Sequence, residues 1–481
     1  MRRSRRVALL AAALVAAGCS FVTEFWVLDD DTPVVSFGKP STYERSPFGA
    51  VLAVLPVPTA DGEATLVAVS AGTGSATETY RWAIGDRIES DSHLSAICSP
   101  VSARVDESDP ADESVCGSSG TGAALLWLEA AAGFSEGPCS EGVLVVGQPN
   151  AGLNSLGEVV SFGRIALHCV QTERTVGTYR QESSTEHLGR ALAHWPGGDQ
   201  PLVAVGADNA VWLAPIDQLT GPGYWVPVWA APRADSAFGS ALAAGATADG
   251  TGWLAVGASH LSARSGDSWL AVVRDTEASA DPTLSTHEVV GCREDAGPTP
   301  LGNALLAADL DGDGNDELLA QAATGVLVFE GTDLAARGTA VATCDLAPGP
   351  TLLACPTDAG DGVECSAEFG ATLAAGDLDA DGVPELLVGD PGARVSGTGR
   401  AGAVHVFVRE ATGWRRAAAL HDATPSADGR LGAALATGPV RGRVEPFVGA
   451  PGTGEVFVFY CSGLSGDAPN APGLTETCRP R

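Results

Sequence analysis

Apolar residues recur in short runs broken by glycine, in a pattern that repeats over a distance far longer than any strand or helix period. A Gly-x-x-Leu element returns seven times, at Gly49/Leu52, Gly122/Leu125, Gly189/Leu192, Gly239/Leu242, Gly302/Leu305, Gly370/Leu373 and Gly432/Leu435. Phe or Leu precedes six of these glycines (Phe48, Leu188, Phe238, Leu301, Phe369, Leu431), and Thr121 precedes the other. After each Leu and a variable loop comes a second apolar run, often closing on Val-Gly, as at Val146-Gly147, Val205-Gly206, Val256-Gly257, Val388-Gly389 and Val448-Gly449. A third run follows, such as GVLVFEG (325–331), GAVHVFV (402–408) and GEVFVFY (454–460). Short apolar runs bounded by turn residues read as strands. Seven copies in one order are more than Gly/Ala-rich low complexity would produce.

Each copy supplies three or four strands, too few to bury both faces alone, so neighbouring copies must stack in a radial array. The first strand of each copy is built of small residues, as in GSALAAG (239–245), GATLAAG (370–376) and GAALATG (432–438), which suits strands crowded round an axis. The preceding Phe or Leu can fill the gap between sheets. Copy seven lacks a clear fourth strand, and the segment around Phe25–Phe37 could supply it. An open stack, or an eighth degenerate copy hidden in VVSFGKP (34–40), is the structural alternative. The acidic stretch 105–117 reads as a solvated loop.

Composition narrows the function. The 481 residues include 59 acidic and 28 basic side chains, a formal charge of −31, which argues against nucleic acid as a partner. The single lysine, Lys39, excludes a Walker P-loop and any Schiff-base lysine deeper in the chain. Residues 1–18 read as an export signal: four arginines (Arg2, Arg3, Arg5, Arg6) precede an apolar stretch, Val7–Ala17, too short for a stable bilayer span. Ala16-Ala17-Gly18-Cys19 resembles a bacterial lipobox, which implies lipidation of Cys19; a plain cleaved secretory signal is the alternative, and export is by the Sec or the twin-arginine route. Ser20 is not the Asp associated with inner-membrane retention, which favours the outer membrane. Ten further cysteines, Cys98, Cys116, Cys139, Cys169, Cys292, Cys344, Cys355, Cys365, Cys461 and Cys478, read as up to five disulfides in an exported chain. Cys355 with Cys365 and Cys461 with Cys478 are the nearest pairs. Zinc is the alternative, although no CxxC occurs.

Phe48-Gly49, Phe238-Gly239 and Phe369-Gly370, with Gly449-Ala450-Pro451, Gly389-Asp390-Pro391 and Gly147-Gln148-Pro149, resemble the FG-GAP repeats of the integrin α-subunit head. The resemblance implies an all-β fold, a seven-bladed β-propeller of FG-GAP repeats over residues 26–461. A lipidated linker (19–25) would precede it and a cysteine-containing tail (462–481) would follow.

Two loops carry the clearest chemistry. DLDGDGNDE (309–317) and DLDADGVPE (377–385) place acids at positions 1, 3, 5 and 9: Asp309, Asp311, Asp313 and Glu317, then Asp377, Asp379, Asp381 and Glu385. Alternate carboxylates on a tight turn converge oxygens on a hard cation, with the backbone carbonyls of Asn315 and Val383 as further donors. An EF-hand would need Glu at position 12, where Ala320 and Val388 stand. The strand setting matches the integrin-type Ca²⁺ loop instead, so two calcium sites are expected, bracing the fold rather than catalysing. Copy four, GATADGTGW (245–253), keeps only Asp249 of these ligand positions and should not bind.

Catalytic signals are poor: the eight histidines are scattered, no HExxH or GxSxG occurs, and Gly397-x-Gly399-x-x-Gly402 precedes a strand, as a hairpin turn would. Trp195, Trp212, Trp225, Trp229, Trp253 and Trp269 are either a binding platform or packing between sheets. The expectation is a non-enzymatic, lipid-anchored binding or scaffold module at the bacterial cell envelope, with a protein or carbohydrate ligand. The alternatives are an envelope enzyme, such as a polysaccharide lyase or phospholipase-like propeller, and a structural subunit of a surface assembly.

Overall fold

In the computed structural model, strands β1 to β30, numbered in chain order, pair almost entirely with their sequence neighbours. The structure describes the strands between residues 34 and 296 with a few flanking positions, and then 301–335, 350–356, 362–440 and 443–459. The export signal, Cys19, the linker, the tail, Trp225, Cys116, Cys139, Cys344, Cys461 and Cys478 lie outside the described residues.

Among the described residues, seven antiparallel four-stranded sheets account for nearly all the strands. Their first strands are β2 (Phe48–Thr59), β6 (Ala124–Glu129), β10 (Ala191–Trp195), β14 (Phe238–Ala246), β18 (Leu305–Ala308), β23 (Thr372–Gly376) and β28 (Ala434–Val440). Each first strand neighbours the first strand of the next sheet, and β28 neighbours β2. The small side chains of these strands permit that crowding. The seventh sheet comprises β28, β29 (Arg443–Ala450) and β30 (Glu455–Phe459), and its fourth strand is β1 (Val34–Gly38), in register from Val34 opposite Phe459 to Gly38 opposite Glu455. VVSFG therefore completes sheet seven and is not an eighth copy. Among the described residues the one helix is α1 (Gly331–Ala335), and a two-stranded ribbon joins β22 (Val363–Glu364) to β25 (Arg394–Val395).

The core is a series of layers between sheets. Leu188 lies in the layer between sheets two and three, Phe238 between three and four, Leu301 between four and five, Phe369 between five and six, and Leu431 between six and seven. All five are buried, so in copies three to seven the residue before the repeat glycine does fill the gap between sheets. Another layer joins sheets one and two, and one more packs Leu52, Val67 and Val69 of sheet one against Phe447, Val456 and Val458 of sheet seven. Second strands such as β15 (Gly252–Ala258), β19 (Glu317–Ala322) and β24 (Glu385–Asp390) are buried along their whole length, because each is covered on both faces.

The two glycines of the repeat meet across these layers. A Cβ added to Gly206 would stand 2.0 Å from the carbonyl oxygen of Gly239, and one on Gly257 2.1 Å from that of Gly302. Gly147 meets Gly189 and Gly449 meets Gly49 in the same way, each at 2.0 Å. Closing the second strand on Val-Gly therefore lets the next Gly-x-x-Leu strand approach backbone to backbone, and at these four seams no larger residue fits. Between sheets five and six, Gln321 holds the equivalent place; its carbonyl accepts from Gly302 N, and the residue is buried.

Trp195, Trp212 and Trp253 are buried within these layers. Packing, not a binding platform, accounts for those three. Trp229 and Trp269 lie in strands whose side chains at those positions are not described.

Candidate functional site

The loops between β18 and β19 and between β23 and β24 have closely related geometry. Position 2 anchors each one: Leu310 and Leu378 are buried in the layers on either side of sheet six. Position 9 opens the second strand and is buried as well, with Glu317 1% and Glu385 4% exposed. Leu310 N donates to Glu317 Oε2 at 2.7 Å, and Leu378 N donates to Glu385 Oε2 at 2.8 Å. Gly331 N, at the start of α1, adds a bond to Glu317 Oε1 at 3.3 Å.

Position 1 organises the turn. Asp309 accepts from Gly312 N and Gly314 N, and Asp377 accepts from Asp381 N and Gly382 N, at 2.8–3.1 Å. The chain passes through left-handed conformations at Gly312 and Gly314 and at the equivalent Ala380 and Gly382. Ala380, with φ 63°, carries a Cβ where copy five has glycine, a strained choice.

Carboxylates at positions 1, 3 and 9 then converge. Asp309, Asp311 and Glu317 each offer an oxygen within 4.8 Å of the other two, and Asp377, Asp379 and Glu385 do the same. The fifth-position acids, Asp313 and Asp381, are not among these two groups of three. Asp313 Oδ1 accepts from Asn315 N, and Asp381 Oδ1 accepts from Val383 N, both at 2.8 Å, so these side chains close local turns. The Asn315 carbonyl lies against Gly331, whose added Cβ would meet it at 2.4 Å.

Three carboxylates in so small a space disfavour their own ionisation. Burial, with the charge of Asp311 adding to it, pushes Glu317 up to about 7; burial and Asp379 with its neighbours do the same to Glu385, also to about 7. Asp311 and Asp379 are raised too, by desolvation first and neighbouring aspartates next. Both sets are hard oxygen donors, as a divalent cation of the calcium type requires.

The two loops differ in their surroundings. Arg409, in β26 (Ala403–Glu410), donates from Nη2 to Glu330 at 2.6 Å, stands 3.9 Å from Asp311 Oδ2 and lies over the Trp414 ring. Among the described residues no Arg or His pairs with Asp377, Asp379 or Glu385. Loop five is also bracketed to sheet four: Asp316 Oδ2 accepts from Ala246 N at 2.7 Å, and Asn315 Oδ1 accepts from Ala248 N at 3.0 Å. These partners were not legible in the sequence, because Asp316 falls between ligand positions and its counterpart in copy six is Pro384. The copy-four turn binds itself, with Asp249 Oδ1 accepting from Thr251 N at 3.0 Å and from the Thr247 hydroxyl.

Of the cysteines, Cys355 and Cys365 are disulfide-bonded, and Cys169 is disulfide-bonded as well. Cys98 and Cys292 lie in β5 (Ser95–Cys98) and β17 (Thr286–Ala296). His187 and Arg190 both bind Asp208, His187 through Nδ1 at 2.5 Å, and His194 is exposed.

The FG-GAP repeat family model matches residues 369–407, from Phe369 through the second acidic loop to Phe407. No curated protein matches the chain. Among solved structures, the extracellular domain of BT4673 from B. thetaiotaomicron, described as a one component system, is similar at 12% identity with a TM-score of 0.42. That similarity covers 89% of this chain, which spans 40% of the other. Residues 369–407 are thus an FG-GAP repeat, and the acidic loop 377–385 lies inside it.

Proposed function

We propose that the chain is a seven-bladed β-propeller of FG-GAP repeats, braced by calcium and displayed at the bacterial cell envelope as a binding or scaffold module. The observation that carries this reading is the layer between the seventh sheet and the first, where Phe447, Val456 and Val458 pack on Leu52, Val67 and Val69 and Gly449 meets Gly49. Such a layer would close the series of sheets on itself and remove the exposed faces an open stack would leave. Asp309, Asp311 and Glu317 would hold one calcium ion and Asp377, Asp379 and Glu385 a second, with water completing each oxygen shell. The ion supplies positive charge to carboxylates that otherwise repel one another, and so fixes the loop.

Cys19 would carry the lipid that holds the module on the membrane, outer in preference to inner, and the ligand would be a protein or a carbohydrate. The module would act by binding rather than by turnover, since the carboxylates that could serve in catalysis are the ones that would be occupied by the ions. Crosslinking in the native envelope followed by pull-down tests the reading: a reproducible partner or glycan supports it. Capture of no partner, together with turnover of an envelope polymer, would replace it with the enzyme reading.

A further inference from the structure

A second kind of donor set lies apart from the acidic loops. Cys355, Cys365, Asp390 and His405 each offer a ligand atom, and the four atoms lie within 4.8 Å of one another. They arrive from four elements: Cys355 follows β21 (Thr351–Ala354), Cys365 follows β22, Asp390 ends β24, and His405 lies in β26. Asp390 and His405 are fully buried and the cysteines half-buried, beside a layer whose buried residues are Leu, Val and Phe. The two cysteines are joined, with their Cα atoms 6.3 Å apart. Asp390 is held from behind: Ser366 N donates to its Oδ2 at 2.8 Å, and the Ser366 hydroxyl donates to its Oδ1. The Phe369 ring meets the His405 imidazole edge-on, with centroids 5.3 Å apart.

We propose that reduction of the Cys355–Cys365 disulfide turns this cluster into a zinc site, with two thiolates, His405 and Asp390 as its ligands. A tetrahedral zinc with bonds of about 2.0–2.3 Å sets its donors roughly 3.3–3.8 Å apart. From within 4.8 Å the four atoms need to draw in by no more than about 1.5 Å, while the freed sulfurs part to admit the ion. A dithiol reductant supplies two electrons: the Sγ–Sγ bond breaks, two thiols form, and the reductant closes to its own disulfide. As zinc binds, each thiol loses its proton to solvent and a Zn–S bond replaces each S–H bond. Two thiolates and one carboxylate outweigh the dication by a single negative charge. Sulfur and imidazole donors select zinc over the hard cations suited to the acidic loops. The Ser366 bonds orient Asp390 as outer-shell partners orient metal ligands elsewhere. While the disulfide is intact the sulfurs are engaged with each other and the site is closed.

The test uses the full chain, reduced anaerobically with a dithiol and titrated with Co²⁺, whose thiolate charge-transfer and tetrahedral d–d bands report the ligand set. The expected result is one Co²⁺ with thiolate bands per reduced chain, displaced by Zn²⁺ and absent from the oxidised chain. A Cys355→Ser/Cys365→Ser variant retains every other cysteine and should lose those bands. Asp390→Asn and His405→Gln, checked for native circular dichroism before reduction, should each weaken binding by at least the roughly tenfold that outer-shell changes cost. Absence of thiolate bands in the reduced wild type would overturn the proposal. So would equal binding by the double serine variant, or bands unchanged in both Asp390→Asn and His405→Gln.

Discussion

Gly449→Ala asks directly whether the seventh sheet bears on the first. The added Cβ would stand 2.0 Å from Gly49 O and 2.9 Å from its carbonyl carbon, both backbone atoms that cannot rotate away as a side chain can. Restoring an ordinary contact means parting the two sheets by about 1.2 Å, through a layer that also holds Phe447, Val456 and Val458. Overpacking of this kind costs about 1–3 kcal/mol. Gly206→Ala and Gly257→Ala meet the same obstacle, at 2.0 and 2.1 Å, and should cost as much. Gly399→Ala is the control: nothing lies within 4 Å of its added Cβ, so it should change stability by no more than about 0.5 kcal/mol. Urea unfolding of the four variants, compared at constant m, measures the differences. If Gly449→Ala behaves like Gly399→Ala while the two interior variants are destabilised, the sheets form an open stack. If all four are benign, the steric argument for the paired glycines fails.

Calcium at a hundredfold excess over its dissociation constant should stabilise the fold by about 2.7 kcal/mol per site; calorimetry should show a rise in melting temperature that Asp311→Ala with Asp379→Ala removes, and identical curves with and without calcium would refute it. In chelator the pH dependence has a definite sign. Glu317 and Glu385 sit at about 7 when folded against an ordinary 4.5, so their contribution is fully present below 4.5 and is lost as pH rises through 7. Melting temperature should therefore fall across that window, less so in Glu317→Gln/Glu385→Gln and in saturating calcium, and a rise across it would refute the assignment. Ala380→Gly relieves a left-handed residue and should raise stability by up to about 1 kcal/mol in denaturant titration. Cys19→Ser should abolish metabolic labelling with a clickable fatty acid, and equal labelling of variant and wild type would refute lipidation there.

The repeat was legible because its signal is steric and local. Phe or Leu before glycine, small residues in the first strand and Val-Gly at the end of the second are each dictated by one close approach, so they recur wherever the approach does. What the sequence could not show is that these signals are halves of one contact, Gly206 against Gly239 and Gly449 against Gly49, since the partners lie in different copies. The acidic loops were legible as ligand patterns, but not the second role their aspartates carry, since Asp309, Asp313, Asp377 and Asp381 all accept amides of their own turns. An aspartate two residues before an amide can bind that amide as readily as an ion, and only the folded turn decides. Arg409 was invisible for a different reason: it reaches Asp311 from the neighbouring sheet, almost a hundred residues away in sequence.

That placement bears on why the acidic loops occur in copies five and six in particular. Loop five touches its neighbours on both sides: Asn315 and Asp316 take backbone amides of Ala248 and Ala246, while a Cβ on Gly312 would meet Val383 Cγ2 at 3.6 Å. The seam between sheets five and six is also one of those that lack the paired glycine, with Gln321 in its place. A seam without that approach gives up some of the contact the others have. Ions held in the loops on either side would stiffen the turns that meet across it. Arg409 acts at the same boundary, pairing from its position on sheet six with Glu330, which follows the third strand of sheet five. With Arg409 beside Asp311 and, among the described residues, no ion pair to Asp379, loop six has the stronger electrostatic need for an ion, and loop five the firmer framework to hold one.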